Sequence, residues 1–129
     1  MLQLDSRPEE VNRLLEWLEP GLLNAGLDEM SAFSLRCAVV EIVNNSIEHA
    51  YNGEPGHPLQ LRLIDSSDEL SIEVRDQGPE FHPPEAGEAS DPMALSGRGF
   101  EIVRAWVDAL DFERDEGWNV WRMTRRKSM

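Results

Sequence analysis

The sequence is short of lysine, cysteine and basic charge. Lysine occurs once, at Lys127. A Walker-type phosphate loop needs a lysine directly after its glycines, so nucleotide binding of that kind is excluded. Cysteine also occurs once, at Cys37, which rules out an internal disulfide and fits a reducing, cytoplasmic setting. No apolar run approaches the roughly 18 residues of a membrane span, and no secretory-signal pattern opens the chain. Twelve basic residues stand against 25 acidic ones, for a formal charge of −13. Four of the twelve crowd into the last eight residues, "RMTRRKSM", so the rest of the chain is more acidic still. Such a body does not suit DNA, whose phosphates demand clustered Lys and Arg. Neither nucleic acid nor a membrane is expected as a partner. The charge serves solubility or a protein with a basic face.

What is present suits a single domain spanning residues 1–129. A chain of this length buries roughly two-thirds of its unfolded surface without metal or disulfide. "LQL" at the start reads as a short edge strand. Ser6 and Glu9 have the spacing of a capping box, ahead of a helix whose Val11, Leu14, Leu15, Leu18 and Leu22 recur at helical spacing. "EPG" at Glu19 to Gly21 is expected to kink or end it. A second helix starts between Asp28 and Ser31 and runs to about Ala50, with one apolar stripe through Leu35, Val39, Ile42 and Val43. "YNGEPG" breaks it with turn chemistry. "LQLRLID" and "LSIEVRD" alternate as two strands of a hairpin. A long Gly- and Pro-rich stretch follows, from Gln77 to Gly99, of a length that is usually functional or mobile. "GFEIVRAWVDAL" reads as a helix, and "DFERDEGWNVWRMTRR" as a last hairpin turning at Asp115 to Gly117. This order predicts an α+β fold, a two-layer sandwich.

Three stretches carry chemistry. In "EIVNNSIEHAY", Glu41 and Asn45 lie one turn apart, about 40° around the helix. Glu48 falls near the same azimuth and His49 a little beyond. A carboxamide oxygen is a neutral ligand that suits Mg²⁺, and a carboxylate can take a proton from an attacking hydroxyl. A solvated helix face would carry the same residues. In "VRDQGPEF", Asp76 ends a strand and Gly78 follows it. An aspartate there can accept from an exocyclic amino group, and glycine permits close approach to the backbone. An ordinary strand-to-turn transition reads the same way. In "SGRGFEIV", Gly97 and Gly99 open a helix whose amides could face an anion, or simply start a helix.

Taken in this order, "E-x-x-x-N … D-x-G … G-x-G" resembles the GHKL superfamily of ATPases, which includes gyrase, histidine kinases and heat-shock chaperones. The sequence is more similar to the anti-sigma factor serine kinases of bacterial partner switching, through "VVEIVNNSIEHAY", "RDQGPEF" and "SGRGFEIVRAWVDAL". The resemblance implies a histidine kinase-like sandwich, with a mixed, mostly antiparallel sheet covered on one face by helices. It implies ATP and Mg²⁺ as cofactors, and Asn45 as the metal ligand. Glu41 would be the general base toward a substrate serine. His49 would lie near the nucleotide. Asp76 would hold the adenine amino group, with Gly78 beneath the ring. Gly97, Arg98, Gly99 and Phe100 would close a lid of about residues 79–97, which carries Glu80, Glu85, Glu88 and Asp91. The implied partners are a sigma factor and an anti-anti-sigma protein of the STAS class, with a homodimer as a further expectation. The alternative is a non-catalytic ATP-binding module that acts by binding alone. A histidine kinase catalytic domain ranks below both, since no phosphoacceptor helix pair precedes the motifs. Where this family often has Gly-Thr before the last strand, this chain has "GWN", leaving one adenine-side contact without an assigned residue. The tryptophans are expected to lie away from the nucleotide, with Trp17 and Trp106 in the core.

Overall fold

The computed structural model describes residues 1–80 and 103–127. Its five strands are β1 (Leu2–Asp5), β2 (Pro58–Asp65), β3 (Glu69–Asp76), β4 (Ala109–Asp115) and β5 (Trp118–Arg126). They pair in the order β1-β2-β3-β5-β4, and every pairing is antiparallel. The period-2 alternation read in the sequence sorts side chains by face. Leu59, Leu61, Leu70, Ile72, Val74 and Met123 turn inward and are buried. Helices α1 (Val11–Asn24) and α2 (Glu29–Asn45) cover that face, and α2 continues into a single π-helical turn, Ser46–Ala50. Leu14, Leu18, Leu35, Val39 and Ile42 complete the core. Trp17 and Trp106 pack against it, partly buried.

The other face of the sheet is polar, which is how one layer of helices suffices. Glu73 is buried there at 6% exposure, held by the Arg122 guanidinium and, at 3.8 Å, by Arg62. Ser71 and Thr124 share a hydrogen bond of 2.8 Å, and Arg75 meets Asp115 at 2.5 Å. The basic C-terminal stretch is therefore strand. Lys127 adds a 2.6 Å ion pair to Asp65, and Arg125 faces Asp108 at 3.9 Å.

Several expectations change. Ser6 caps no helix. Its hydroxyl is buried, donates to the Glu54 carbonyl at 2.5 Å and accepts from the His57 amide at 3.0 Å. It thus ties β1 to the turn before β2, and α1 starts only at Val11 after a 3-10 turn. Nor does "EPG" end α1, which runs through Pro20 to Asn24. Gly21 lets this part of α1 press onto the sheet, since a Cβ there would collide with Leu63 Cδ1. The helix stops instead at Gly26, whose φ of 76° is the left-handed conformation that closes helix ends. Asp28 then caps α2, accepting from the Ser31 amide at 2.7 Å. The expected helix through Leu110 is seen from Val103 and ends at Trp106; Ala109 already belongs to β4. The chain leaves the helix because the Asp108 amide donates to the Thr124 carbonyl and its carboxylate accepts from the Arg126 amide. The expected segment before Val103 lies outside the described residues.

Pro20 leaves the Glu16 carbonyl without its helical donor and sits exposed on α1. Pro20→Ala is expected to stabilise the protein by about 2 kcal/mol, the helix-interior penalty less the unfolded-state gain of proline. Urea denaturation should show a higher midpoint with an unchanged slope.

Candidate functional site

Three chain segments that are distant in sequence close one cleft, open to solvent on one side. They are the C-terminal end of α2 with its π turn, the end of β3, and the start of β5. Asn45, His49 and Asp76 all line it, as do Ser46, Asn119 and Trp121.

The π turn shapes the first wall. The Tyr51 amide bonds to the Ser46 carbonyl at 3.1 Å, five residues back, and the Gly53 amide reaches Ile47 at 2.8 Å. Such turns are rare and concentrate at functional sites. They also break the α-helical azimuths read from the sequence. Glu48 stands in solvent and takes no part in the cleft, whereas His49 faces in. Glu41 is partly buried one turn before Asn45, outside the lining residues. Asn45 projects its Nδ2 into buried space, where the atom has no hydrogen-bond partner among the described residues. Burying an amide N–H without a partner is costly.

Asp76 is the centre of the second wall, 2% exposed. Its Oδ2 accepts from Ser46 Oγ at 2.9 Å. Its Oδ1 accepts from the Gly78 amide at 3.0 Å and from Asn119 Nδ2 at 2.8 Å. The carboxylate therefore links α2, β3 and β5. Gly78 has a reason beyond any ligand: a Cβ there would sit 2.5 Å from Ala50 Cβ and 3.1 Å from its carbonyl oxygen. The end of the helix and the D-x-G turn touch directly.

Tyr51 locks that contact and was missed in the sequence. Its hydroxyl donates to the Pro58 carbonyl at 2.6 Å and accepts from the Gln77 amide at 2.5 Å. Its ring stacks on His57, centroids 4.6 Å apart. Burial pushes the phenol above its ordinary range, with the Asp76 charge adding to this and the Gln77 hydrogen bond opposing it, so it stays neutral and able to donate. Asn119 was missed too, although the "GWN" departure marked its neighbourhood. Trp121 corrects the expectation that the tryptophans lie elsewhere: it is 4% exposed, tilted against Phe112, and lines the cleft. Gly97, Arg98, Gly99 and Phe100, with Glu85, Glu88 and Asp91, lie outside the described residues.

The sequence matches the family described as the histidine kinase-like ATPase domain over residues 4–125. The chain belongs to this family. Among its relatives is the serine/threonine-protein kinase BtrW of Bordetella bronchiseptica, 30% identical over 132 residues that span 95% of this chain and 90% of that protein. The serine-protein kinase RsbW of Listeria monocytogenes is 29% identical across 92% of this chain and 82% of its own. The anti-sigma F factor of Oceanobacillus iheyensis is 30% identical across 69% and 63%. Within the histidine kinase-like ATPases, the chain is of the anti-sigma factor serine kinase type. The fold agrees with the Acinetobacter baumannii histidine kinase AdeS, with a TM-score of 0.57 at 12% identity, covering all of this chain and 69% of that one. No helix among the described residues is long and apolar enough to cross a membrane.

Tyr51→Phe leaves the Gln77 amide and the Pro58 carbonyl without their shared partner. A loss of about 1–3 kcal/mol in unfolding free energy is expected. Urea denaturation measures it, and nucleotide affinity should fall in parallel, since Gln77 adjoins Asp76.

Proposed function

We propose that this chain binds Mg-ATP in the cleft between α2 and the ends of β3 and β5. In this reading it sequesters a sigma factor and phosphorylates a serine of an anti-anti-sigma protein of the STAS class. As a histidine kinase-like ATPase of the anti-sigma type, it is a protein serine/threonine kinase that uses ATP. The observation that carries the site assignment is the convergence of Asn45, His49 and Asp76 on one cleft. The wider reading takes the single domain of residues 1–129 to act in the cytoplasm, as a homodimer, with residues 79–97 as its lid.

Each residue has a chemical part in this proposal. Asp76 accepts from the adenine amino group. Gly78 lets the turn after β3 lie flat against the helix end, below the ring. His49 borders the nucleotide from α2. Gly97, Arg98, Gly99 and Phe100 would meet the phosphates. Asn45 fits a magnesium ion through its carboxamide oxygen, the phosphates and water supplying the remaining ligands, as Mg²⁺ prefers. The ion, when bound, offsets phosphate charge. Glu41 accepts the proton of the substrate serine as its oxygen bonds to the γ-phosphorus and the bond to the β-phosphate breaks, releasing ADP. Glu41 stands apart from the cleft lining, one helical turn before Asn45.

Glu41→Ala is expected to keep Mg-ATP affinity and lose phosphotransfer by about 10²–10⁴-fold. A radiolabelled transfer assay against an anti-anti-sigma partner reads the second, and calorimetry the first. Transfer at the wild-type rate would remove Glu41 as the base. A wild-type protein that transfers nothing to any such partner would replace the kinase proposal with the module that acts by binding alone.

A further inference from the structure

Asp76, Asn119 and Arg114 are cross-strand neighbours. In the sheet register Asp76 stands opposite Asn119, and Asn119 opposite Arg114, so the three form a row across β3, β5 and β4. The Asn119 amide is 1% exposed, and its orientation is chemically determined. Its Nδ2 faces three acceptors: Asp76 Oδ1 at 2.8 Å, the Pro79 carbonyl at 2.9 Å and the Gly78 carbonyl at 3.3 Å. Its Oδ1 faces a donor, Arg114 Nη1, at 3.0 Å. The same Nη1 donates to the Gly78 carbonyl at 2.8 Å. With two hydrogens and three acceptors, Nδ2 has nothing left to offer a ligand.

The count for Asp76 follows. A carboxylate oxygen has two lone-pair directions. Among the described residues, Oδ1 has both occupied, by Asn119 and by the Gly78 amide, and Oδ2 has one occupied, by Ser46. One acceptor direction, on Oδ2, remains in a residue that lines the cleft. An adenine amino group needs one acceptor; guanine presents a carbonyl oxygen at that place, and two acceptors repel.

We propose that Arg114 is a positioning residue for adenine recognition, acting through the Asn119 amide to hold Asp76 with a single acceptor direction turned to the nucleotide. The inference rests on the ATP-binding reading of the cleft. Arg114 reaches in from the edge strand β4, outside the residues that line the cleft. Its guanidinium anchors both the far end of the Asn119 amide and the carbonyl of the turn that follows Asp76. Without it the amide is held at one end only, the Asp76 carboxylate can pivot, and the acceptor offered to the base is no longer set. The loss falls on adenine nucleotides, because a guanine nucleotide never gained from that acceptor.

The test measures Mg-ATP and Mg-GTP affinity by calorimetry for the wild type and for Arg114→Met, Arg114→Lys, Asn119→Ala, Asp76→Asn and the Arg114→Met/Asn119→Ala double variant. Arg114→Met should weaken ATP binding about three- to tenfold, the worth of one ordinary hydrogen bond, and leave GTP nearly unchanged. Arg114→Lys, with a cation but no planar fork, should recover part of the loss. In the Asn119→Ala background, Arg114→Met should add little, because the route through the amide is already gone. In phosphotransfer, the KM for ATP should rise with kcat held. An unchanged ATP-to-GTP ratio in Arg114→Met, or full additivity in the double variant, overturns the positioning role while ATP binding stands. If Arg114→Met does not fold, the ratio in Arg114→Lys and the additivity of Arg114→Lys with Asn119→Ala decide on the same terms. Equal wild-type affinity for ATP and GTP, or an unchanged ratio in Asp76→Asn, overturns the adenine reading and this inference with it.

Discussion

One buried carboxylate organises this protein. Asp76 is almost fully removed from water, and a charge in that position is tolerated only if its lone pairs are met by donors. The donors come from three places: Ser46 at the end of α2, the Gly78 amide just past β3, and Asn119 on β5. Satisfying Asp76 therefore fixes how the helix layer sits over the end of the sheet. Ala50 and Gly78 can touch only in that arrangement, and Tyr51 closes it from the other side. The cleft is what is left between these constraints, a preformed space whose polar groups are already oriented.

The same economy governs the charge. The chain is strongly acidic, and in the structure several of its cations serve as ties. Arg122 neutralises the buried Glu73 beneath the sheet, Arg36 joins α2 to Glu19 of α1, and Lys127 pins the end of β5 to Asp65. Exposed pairs of this sort contribute little singly. Glu73 differs because it is buried, so losing Arg122 would strand a charge. The Glu73 pairing holds the Arg122 guanidinium above its ordinary range, a direction that agrees with a structural role. With 25 acidic residues against 12 basic ones, the chain suits a protein partner with a basic face more than a polyanion.

Much of the fold was legible because periodicity reports burial directly. The strands at 59–65 and 70–76, the last hairpin and the apolar stripe of α2 all appear where the spacing put them, within a residue or two. The failures have physical causes. Ser6 had the local signature of a cap, but a long-range bond to Glu54 satisfies its hydroxyl better. Pro20 ought to end a helix, but packing of the surrounding turns against the sheet outweighs one lost hydrogen bond. Glu48 shared an azimuth with Asn45 only for an ideal α-helix, and the π turn moved it out to solvent.

The sequence by itself determined the residue types the chemistry needs and their local spacing: Glu41 one turn from Asn45, Asp76 two residues before Gly78, glycines ahead of the last helix. These are short-range facts, written in the order of the chain. It also determined what the protein lacks, above all a lysine for a phosphate loop. Only the tertiary structure decided which of those residues share a cleft, because that depends on strand register and on where α2 ends against the sheet. Asn119 and Arg114 are 43 and 38 residues from Asp76 in the chain, and become its neighbours only when β3, β5 and β4 pair in one register. A one-residue slip of β5 would turn Asn119 to the face opposite Asp76 and Arg114. No local pattern carries that information, since it resides in the backbone hydrogen bonds that align the strands.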